Sequence, residues 1–305
     1  MSDGLVERLA AIAAELAGEG AVASRAKLIS RRADDPVVSV GDVVVKAHAG
    51  DAESTALEAR VAAAAAPETR SILAAPLPMP GYVRVELGRL VTAWPRGVPV
   101  DPENPDSAPW IDAARLLARL HRIDLAALEL GLPPCGAPDR VVRAVDRARA
   151  LPPSAEREAV ERAFETLPPW ARSSDTPPPH DRPLTLVHGD FHLGQLVLLE
   201  GAWCFIDVDD LGRGDPAWDL ARPAAWFIAG IIAPETWWGF VHAYVEAGGI
   251  AVDDARDPWR CLEPHARALT VQCGALALSA AAGAQRALDE LETTWIELCA
   301  RIGSM

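Results

Sequence analysis

Three oxygen-bearing side chains, those of Asp190, Gln195 and Asp207, have the types and spacing needed for phosphoryl transfer. Carboxylate and amide oxygens are ligands that Mg²⁺ prefers, and this ion keeps further positions for water and phosphate oxygens. A nearby carboxylate can orient an attacking hydroxyl and accept its proton. Because phosphoryl transfer depends mainly on positioning and charge neutralisation, these three groups would supply much of what the reaction requires.

A β-hairpin is predicted to bring two of these side chains together. The apolar stretch 196–199 follows Gln195, breaks at Glu200-Gly201, and is followed by the strand-like stretch 203–206 and Asp207. Two such stretches around a short glycine-containing turn are typical of a hairpin. Gln195 and Asp207 would then lie within about one residue of being opposite, with Cβ atoms roughly 5 Å apart. Asp190 follows a short strand that ends at Val187, so it is expected in the adjoining loop.

Three motifs carry a resemblance to a known family. The chain reads H-G-D-F-H-L-G-Q at 188–195, F-I-D-V-D-D at 205–210 and G-D-P-A-W-D-L-A at 214–221. Together they resemble the aminoglycoside phosphotransferase family, which is related to choline kinases and protein kinases, and the resemblance covers about residues 43–219. The family usually has Asn where this chain has Gln195. The H-L-G-Q form is similar to maltokinase and glucosamine kinase-like members.

The resemblance implies the fold and the cofactors. We expect an α+β, two-lobed protein-kinase-like fold with a small β-sheet N-terminal lobe that has one helix, and a larger, mainly helical C-terminal lobe. The lobes would span residues 1–93 and 94–305. ATP and Mg²⁺ would bind, with Asp190 as the catalytic residue and with Gln195 and Asp207 as metal ligands. Backbone groups of Ala93 and Trp94 would meet the adenine edge.

Lys46 is expected to contact the nucleotide phosphates. It ends an apolar strand and is one of only two lysines in the chain. Its partner should be a glutamate on the next helix. Glu53 lies in the first turn, where a carboxylate stabilises the helix dipole whatever its function. Glu58 lies in the helix body beside Leu57 and Val61, where a charge is better explained by a buried partner, so we expect Glu58 to orient Lys46.

The turn that would cover the phosphates, residues 31–36, contains no glycine. A phosphate cradle needs backbone N–H groups more than it needs glycine. An ordinary solvated hairpin turn is the alternative interpretation.

Composition limits the class of partner. The chain has 305 residues and a net charge of −14, which disfavours nucleic acid and favours a cationic substrate by long-range attraction, although acidity also aids solubility. No apolar run is long enough to span a bilayer and no signal peptide is apparent. The five cysteines show no C-x-x-C spacing. These features indicate a cytoplasmic protein with buried thiols, and they do not reveal its oligomeric state.

The C-terminal part is predicted to be helical. Residues 140–166 are strongly charged and are expected on the surface, and we expect His121, Asp215 and Asp219 to have structural roles. Tryptophans could stack on a sugar and acidic residues could hold ammonium groups, although the alternatives are core packing and solvated charge. The candidates are Trp226, Trp237, Trp238, Trp259, Asp253, Asp254, Asp257 and Glu263.

These observations predict an ATP-dependent O-phosphotransferase that acts on a hydroxyl of a small molecule. An aminoglycoside or other amino-sugar compound is the favoured acceptor, which would make antibiotic resistance a role. The alternatives are a kinase of a simple sugar or metabolite, such as glucosamine, maltose or choline, and a catalytically silent nucleotide-binding relative. Gln195 and the glycine-free turn support the silent alternative.

Overall fold

The computed structural model describes residues 2–18, 20–30, 35–104, 107–173, 175–176 and 183–305. Most of the turn expected to cover the phosphates, residues 31–34, lies outside these ranges. The chain forms two compact units, and neither is one continuous stretch of sequence. The first comprises Met1–Pro109, Ile123–Pro133 and Leu193–Asp209, and the second comprises Trp110–Arg122, Pro134–His192 and Asp210–Met305. The lobes expected at 1–93 and 94–305 remain a prediction.

The first unit contains a five-stranded antiparallel sheet with the order β1-β2-β3-β5-β4. The strands are β1 (Lys27–Ser30), β2 (Val37–Val40), β3 (Val43–Ala47), β4 (Arg84–Glu86) and β5 (Arg89–Pro95). Two α-helices, α1 (Ser2–Ala17) and α2 (Ser54–Ala65), belong to the same unit, where one was expected.

Helix α1 packs on one face of the five-stranded sheet through a stripe of apolar residues. Its buried Leu5, Leu9 and Ile12 pack in one hydrophobic cluster with Val45 of β3 and Ala93 of β5. Because side chains alternate along a strand, the residues between these buried positions point to the opposite face of the sheet. That opposite face carries the polar side chains of the functional site.

A second sheet of the first unit, with the order β6-β8-β9, contains the predicted hairpin. Its strands are β6 (Val98–Pro99), β8 (Leu196–Leu199) and β9 (Ala202–Phe205), and Leu196 pairs with Phe205. The turn residues Glu200 and Gly201 both have positive φ, 49° and 83°, as a two-residue type I′ turn requires. The predicted hairpin and its register are confirmed.

The second unit is mainly helical, with one small sheet formed by β7 and β10. Its elements are α3 (Trp110–Leu120), α4 (Ala137–Arg149), α5 (Ala155–Thr166), β7 (Thr185–Val187), β10 (Gly212–Gly214), α6 (Ala217–Ile228), α7 (Pro234–Glu246), α8 (Trp259–Gly283) and α9 (Glu290–Ile302). One hydrophobic cluster joins α4, α5, α6, α8 and α9.

The prediction that residues 140–166 form a charged surface segment is wrong in part. The segment forms two helices, because Pro152 and Pro153 separate α4 from α5. Each helix also buries one face, with Val145 of α4 and Val160 of α5 fully inaccessible to solvent. The charged side chains occupy only the remaining faces.

No helix within the described part of the chain combines the length and apolar character that a membrane crossing would need.

Candidate functional site

Lys46 lies at the centre of a group of charged side chains in the first unit. Its Nζ is 2.7 Å from Oδ1 of Asp207 and 2.8 Å from Oδ2 of Asp209. Burial on its own lowers the pKa of Lys46, but the two carboxylates outweigh burial and raise the net pKa above its ordinary value. Lys46 is therefore a firmly cationic group held between two carboxylates.

Asp207 is positioned by the end of the hairpin. The N–H of Ile206 donates to the carbonyl of Gln195 at 2.9 Å, and the N–H of Phe205 donates to the carbonyl of Ile72 at 2.8 Å. Asp207 itself has a φ of 64°, in the left-handed region, which costs on the order of 1 kcal/mol for a residue other than glycine. The hairpin thus holds this carboxylate in a conformation that an unconstrained chain seldom adopts.

Gln195 is buried and lies next to Asp207, as the hairpin register predicts. Its Nε2 is 3.4 Å from Oδ2 of Asp207. A half-turn of the amide would direct Oε1 to this point instead, so the pair can offer two hard oxygen atoms. Such a donor set fits Mg²⁺, which commonly takes one or two protein ligands and completes its shell with phosphate and water. Within the described ranges, no group of three or more His, Cys, Asp or Glu side chains is arranged to hold a metal ion.

Glu58 does not take the position expected of it. Its side chain is exposed on α2 and accepts a 2.8 Å hydrogen bond from the hydroxyl of Ser54, one helical turn earlier. The buried positions of α2 include Leu57 and Val61, and Glu58 lies outside that stripe. Lys46 pairs instead with Asp207 and Asp209, so the expected Lys46–Glu58 pairing is corrected.

Ala93 and Trp94 lie inside β5, paired in register with Val45 and Val44 of β3. The carbonyl of Ala93 already accepts a 2.8 Å hydrogen bond from the N–H of Leu77. The indole Nε1 of Trp94 donates to the hydroxyl of Thr92 at 2.8 Å. The role of Ala93 and Trp94 at the adenine edge remains a prediction, and much of their hydrogen-bonding capacity is used within the protein.

Asp190, the predicted catalytic residue, belongs to the second unit and contacts two arginines. Nη2 of Arg222, on α6, donates to its Oδ1 at 2.7 Å, and Nη2 of Arg140, on α4, lies 2.8 Å from its Oδ2. Arg140 also donates from Nη1 to Oδ2 of Asp210 at 2.8 Å. Both oxygens of the Asp190 carboxylate thus contact guanidinium groups. We call Arg140 and Arg222 the arginine pair.

The arginine pair was not predicted from the sequence. Arg222 directly follows the G-D-P-A-W-D-L-A motif, and this position was the one signal that could have identified it. Arg140 lies 50 residues before Asp190 in the chain, in a helix that was assigned to the surface. No local pattern connects these two residues.

The loop that carries Asp190 is supported by Asp219, which is fully buried. Its carboxylate accepts hydrogen bonds from the N–H of His188 at 2.8 Å and of Gly189 at 2.9 Å, and Nε2 of His121 lies 3.0 Å from Oδ2. Gly189 has a φ of 83°, and a Cβ there would lie 2.3 Å from the carbonyl oxygen of Asp210. The structural roles expected of His121 and Asp219 agree with these contacts.

The pKa of His192, which is partly buried next to the arginine pair, is lower than that of an ordinary histidine. Burial is the main cause that lowers the pKa of His192 to about 4, and the guanidinium of Arg222 lowers it further, whereas Asp190 opposes the shift. His192 is therefore neutral at physiological pH and adds no positive charge beside Asp190.

The candidate acceptor-binding side chains separate into two groups. Trp237 is fully buried and stacks with Phe227 and Trp259 at centroid distances of 5.5 and 5.6 Å, so it belongs to the core. Trp226 and Trp238 are half-buried. The acidic candidates are mostly exposed, and Asp254 pairs with its neighbour Arg256. The contacts of Trp237 and Asp254 agree with the structural alternatives of core packing and solvated charge.

Solved structures of several kinases share this fold. A choline/ethanolamine kinase family protein from Mesorhizobium loti has a TM-score of 0.61 and 16% identity, covering 100% of this chain and 94% of its own. An aminoglycoside phosphotransferase APH(4)-Ia variant, in a complex with AMP-PNP and hygromycin B, has a TM-score of 0.58 and 17% identity, covering 92% and 93%. The macrolide 2′-phosphotransferase MphH from Brachybacterium faecium has a TM-score of 0.54 and 20% identity, covering 96% and 98%.

The predicted α+β kinase-like fold is confirmed by these similarities. No curated protein is similar enough in sequence to match the chain. The family model of the phosphotransferase enzyme family, APH, matches residues 25–262, which is most of the sequence. The match includes all three motifs at 188–221. The chain therefore belongs to the phosphotransferase enzyme family, and it is a small-molecule phosphotransferase.

Proposed function

We propose that the protein transfers the γ-phosphoryl group of ATP to a hydroxyl of a small molecule. The observation that carries this proposal is the family match across residues 25–262, in a chain that also holds Lys46 against Asp207 and fixes Asp190 on a supported loop. The fold is similar to that of two proteins whose structures contain AMP-PNP, the APH(4)-Ia variant and an amicoumacin kinase with a TM-score of 0.62 and 13% identity. These similarities support ATP as the phosphoryl donor.

Lys46, Gln195 and Asp207 would bind the magnesium nucleotide. The ammonium of Lys46 would contact phosphate oxygens, and Gln195 and Asp207 would hold Mg²⁺. When bound, this ion neutralises charge on the phosphates and fixes their position. The ammonium of Lys46 is already largely withdrawn from water, so contact with phosphate oxygens would cost it little further desolvation.

Asp190 would orient the acceptor hydroxyl and accept its proton while the hydroxyl oxygen attacks the γ-phosphorus. A carboxylate has about four lone-pair positions, so the two bonds from Arg140 and Arg222 leave room for the hydroxyl. The arginine pair fixes the direction of the remaining lone pairs. Asp219 fixes the backbone of the loop, and direct transfer needs no phosphoenzyme.

An amino-sugar compound is the first candidate acceptor. The net charge of −14 attracts a cationic molecule over long distances. The hygromycin B complex of the APH(4)-Ia variant gives a relative of the same fold with an aminoglycoside acceptor. On this basis we propose an aminoglycoside or related amino sugar.

A neutral sugar is the second candidate, and the surroundings of Asp190 favour it. Arg140 and Arg222 contact Asp190, and Arg143 lies 3.6 Å from Asp210. The guanidinium groups of Arg140 and Arg222 therefore lie directly at the Asp190 carboxylate. An ammonium group directly beside the reacting hydroxyl would be repelled there, whereas a neutral sugar would not.

A phosphate-transfer screen tests the proposal. The parent protein, Asp190→Asn and the control Asp146→Asn, which removes an exposed carboxylate of the same unit, would be incubated with Mg-ATP. The acceptor panel would contain aminoglycosides, hexosamines, neutral hexoses and maltose, with phosphorylated products detected by mass spectrometry. We expect product with the parent and Asp146→Asn and none with Asp190→Asn. If the parent binds ATP but phosphorylates nothing on the panel, the silent alternative is favoured.

A further inference from the structure

Five side chains of the first unit form a continuous polar path that ends at Lys46. Lys46 lies in β3, and His48 directly follows this strand, with its N–H donating to the carbonyl of Leu90 at 2.8 Å. The pairing thus continues to His48, two positions after Lys46, so the two side chains point to the same face of the sheet. Lys46 pairs with Thr92 of β5, and cross-strand partners also share a face. Trp94, two residues after Thr92, lies on this face as well. The sheet therefore gathers these groups on the side that α1 does not cover.

Hydrogen bonds and short contacts link these groups in sequence. Trp94 Nε1 donates to Thr92 Oγ1 at 2.8 Å, and Thr92 Oγ1 lies 2.8 Å from His48 Nε2. His48 Nδ1 lies 3.0 Å from Asp209 Oδ1, a short but not linear contact, and Asp209 Oδ2 accepts a 2.8 Å hydrogen bond from Lys46. His48, Thr92 and Trp94 are all buried.

The order of donors along this path favours one tautomer of His48. The Trp94 indole is only a donor, so the Thr92 oxygen accepts its hydrogen bond, and the hydroxyl proton of Thr92 can be donated to His48 Nε2. With Nε2 as acceptor, the ring proton of His48 lies on Nδ1, the nitrogen that is 3.0 Å from Asp209 Oδ1. His48 thus lies against one oxygen of Asp209, and the other oxygen accepts the hydrogen bond from Lys46.

Asp209 differs from Asp207 in one important respect. Under the proposed function, Asp207 would bind Mg²⁺ together with Gln195, and its oxygens would then be shared with the ion. Asp209 has one oxygen 3.0 Å from His48 Nδ1, and its other oxygen would remain bonded to Lys46. Glu58, which was expected to orient Lys46, is exposed and bonded to Ser54.

We propose that Asp209 is the positioning residue of Lys46, and that Trp94, Thr92 and His48 hold Asp209 in place for this role. The proposal rests on the proposed function in so far as Lys46 binds nucleotide phosphates. Asp209, which follows β9, thereby takes the role that the sequence predicts for Glu58 of α2. The path also connects the lysine to Trp94, at the residues predicted to meet adenine.

The scarcity of lysine makes a direct test practical. Lysine labelled with ¹⁵N at Nζ gives signals from only Lys46, which is largely buried, and Lys27, which is exposed. Ammonium protons held in ion pairs exchange slowly with water. We expect Asp209→Asn to change the ¹⁵N shift of Lys46 and to speed the exchange of its protons by about tenfold, as expected for losing one charge-assisted hydrogen bond. The matched control Glu58→Gln should leave both quantities unchanged.

Two further pairs of variants test the contacts of Asp209 with His48 and Thr92. Thr92→Ser keeps the hydroxyl and should preserve the Nδ1–H tautomer of His48, whereas the similarly shaped Thr92→Val should change it, as read from ring ¹⁵N shifts. His48→Asn can still donate to Asp209, and it should retain the Lys46 signal better than His48→Leu. Equal effects of each conservative and non-conservative variant would overturn this part of the proposal.

ATP binding separates this proposal from the proposed function. In EDTA, where no metal contributes, Asp209→Asn should weaken binding of ATP by about tenfold and Glu58→Gln should not. If the parent binds no ATP with or without Mg²⁺, the proposed function fails, while the Lys46 signals still decide how the lysine is positioned. A shifted Lys46 signal in Glu58→Gln together with an unchanged one in Asp209→Asn would overturn the positioning role of Asp209.

Discussion

Arg222 donates a 2.7 Å hydrogen bond to the carboxylate of Asp190, and both side chains are largely buried. A planar guanidinium offers fixed donor directions, so it orients a carboxylate more strictly than an ammonium does. Arg140 engages the other oxygen of Asp190. The predicted catalytic residue is therefore held in one direction before any acceptor arrives.

Replacing Arg222 should slow the chemical step. We expect Arg222→Gln to reduce kcat by about 10- to 100-fold, because losing one hydrogen bond between charged groups costs roughly 1.5–3 kcal/mol. The KM for ATP should change little, since Asp190 is expected to act on the acceptor. Steady-state kinetics would measure both values. Arg162→Gln, which removes an exposed arginine paired with Glu158, is the control, and a kcat that stays at the parent value would contradict the role of Arg222.

Replacing Asp219 should destabilise the second unit. Its carboxylate accepts hydrogen bonds from His188 and Gly189 and contacts His121, with no exposure to solvent. Asp219→Ala leaves these buried donors without an acceptor, and we expect a loss of roughly 3 kcal/mol or more in the free energy of unfolding. Urea denaturation would measure this loss. Asp146→Asn should stay within about 0.5 kcal/mol of the parent, and a similarly small effect at Asp219 would show that the loop does not depend on it.

Replacing Gln195 should change the requirement for metal. Gln195→Leu removes the amide oxygen, and we expect the Mg²⁺ concentration for half-maximal activity to rise about tenfold, the effect of losing roughly 1.4 kcal/mol. Gln195→Asn keeps the amide and should lie nearer to the parent. Excess EDTA should abolish turnover in all three proteins. Identical Mg²⁺ titrations of the leucine and asparagine variants would remove Gln195 from the metal site.

His192 should make stability fall in mild acid. Its pKa is lowered mainly by burial to about 4 in the folded protein, whereas an unfolded histidine titrates near its ordinary value of about 6.5. Between these values the unfolded state binds more protons than the folded state, so the free energy of unfolding increases with pH. The stability that follows from neutral His192 is therefore lost progressively as the pH falls from about 6.5 to 4. His192→Gln should reduce this slope relative to the parent when unfolding is followed in urea across the interval. Parallel curves for the two proteins would contradict the shift.

Local features of the site were predictable from the sequence because short-range geometry fixes them. The Glu200-Gly201 turn and the apolar stretches on either side of it define the hairpin, and its register brings Gln195 beside Asp207. The strand that ends near Lys46 follows from its run of β-branched residues, Val43 to Val45, after the Gly41-Asp42 turn.

Contacts between distant residues were not predictable. Lys46 and Asp209 are 163 residues apart, and no periodicity connects them. A carboxylate in a helix body does not need a buried partner, because at Glu58 the side chain is exposed and accepts a hydrogen bond from the hydroxyl of Ser54. In α4 and α5 the charged residues concealed small residues, such as Ala148 and Ala163, that pack in the core.

Helix α6 carries both Asp219 and Arg222, three residues apart and therefore on neighbouring positions of one helical face. The first anchors the backbone of the His188-Gly189 segment, and the second anchors the side chain of Asp190. Any rotation or translation of α6 would carry both anchors along together. The orientation that Arg222 gives to the Asp190 carboxylate is thus preserved relative to its own loop when α6 itself moves.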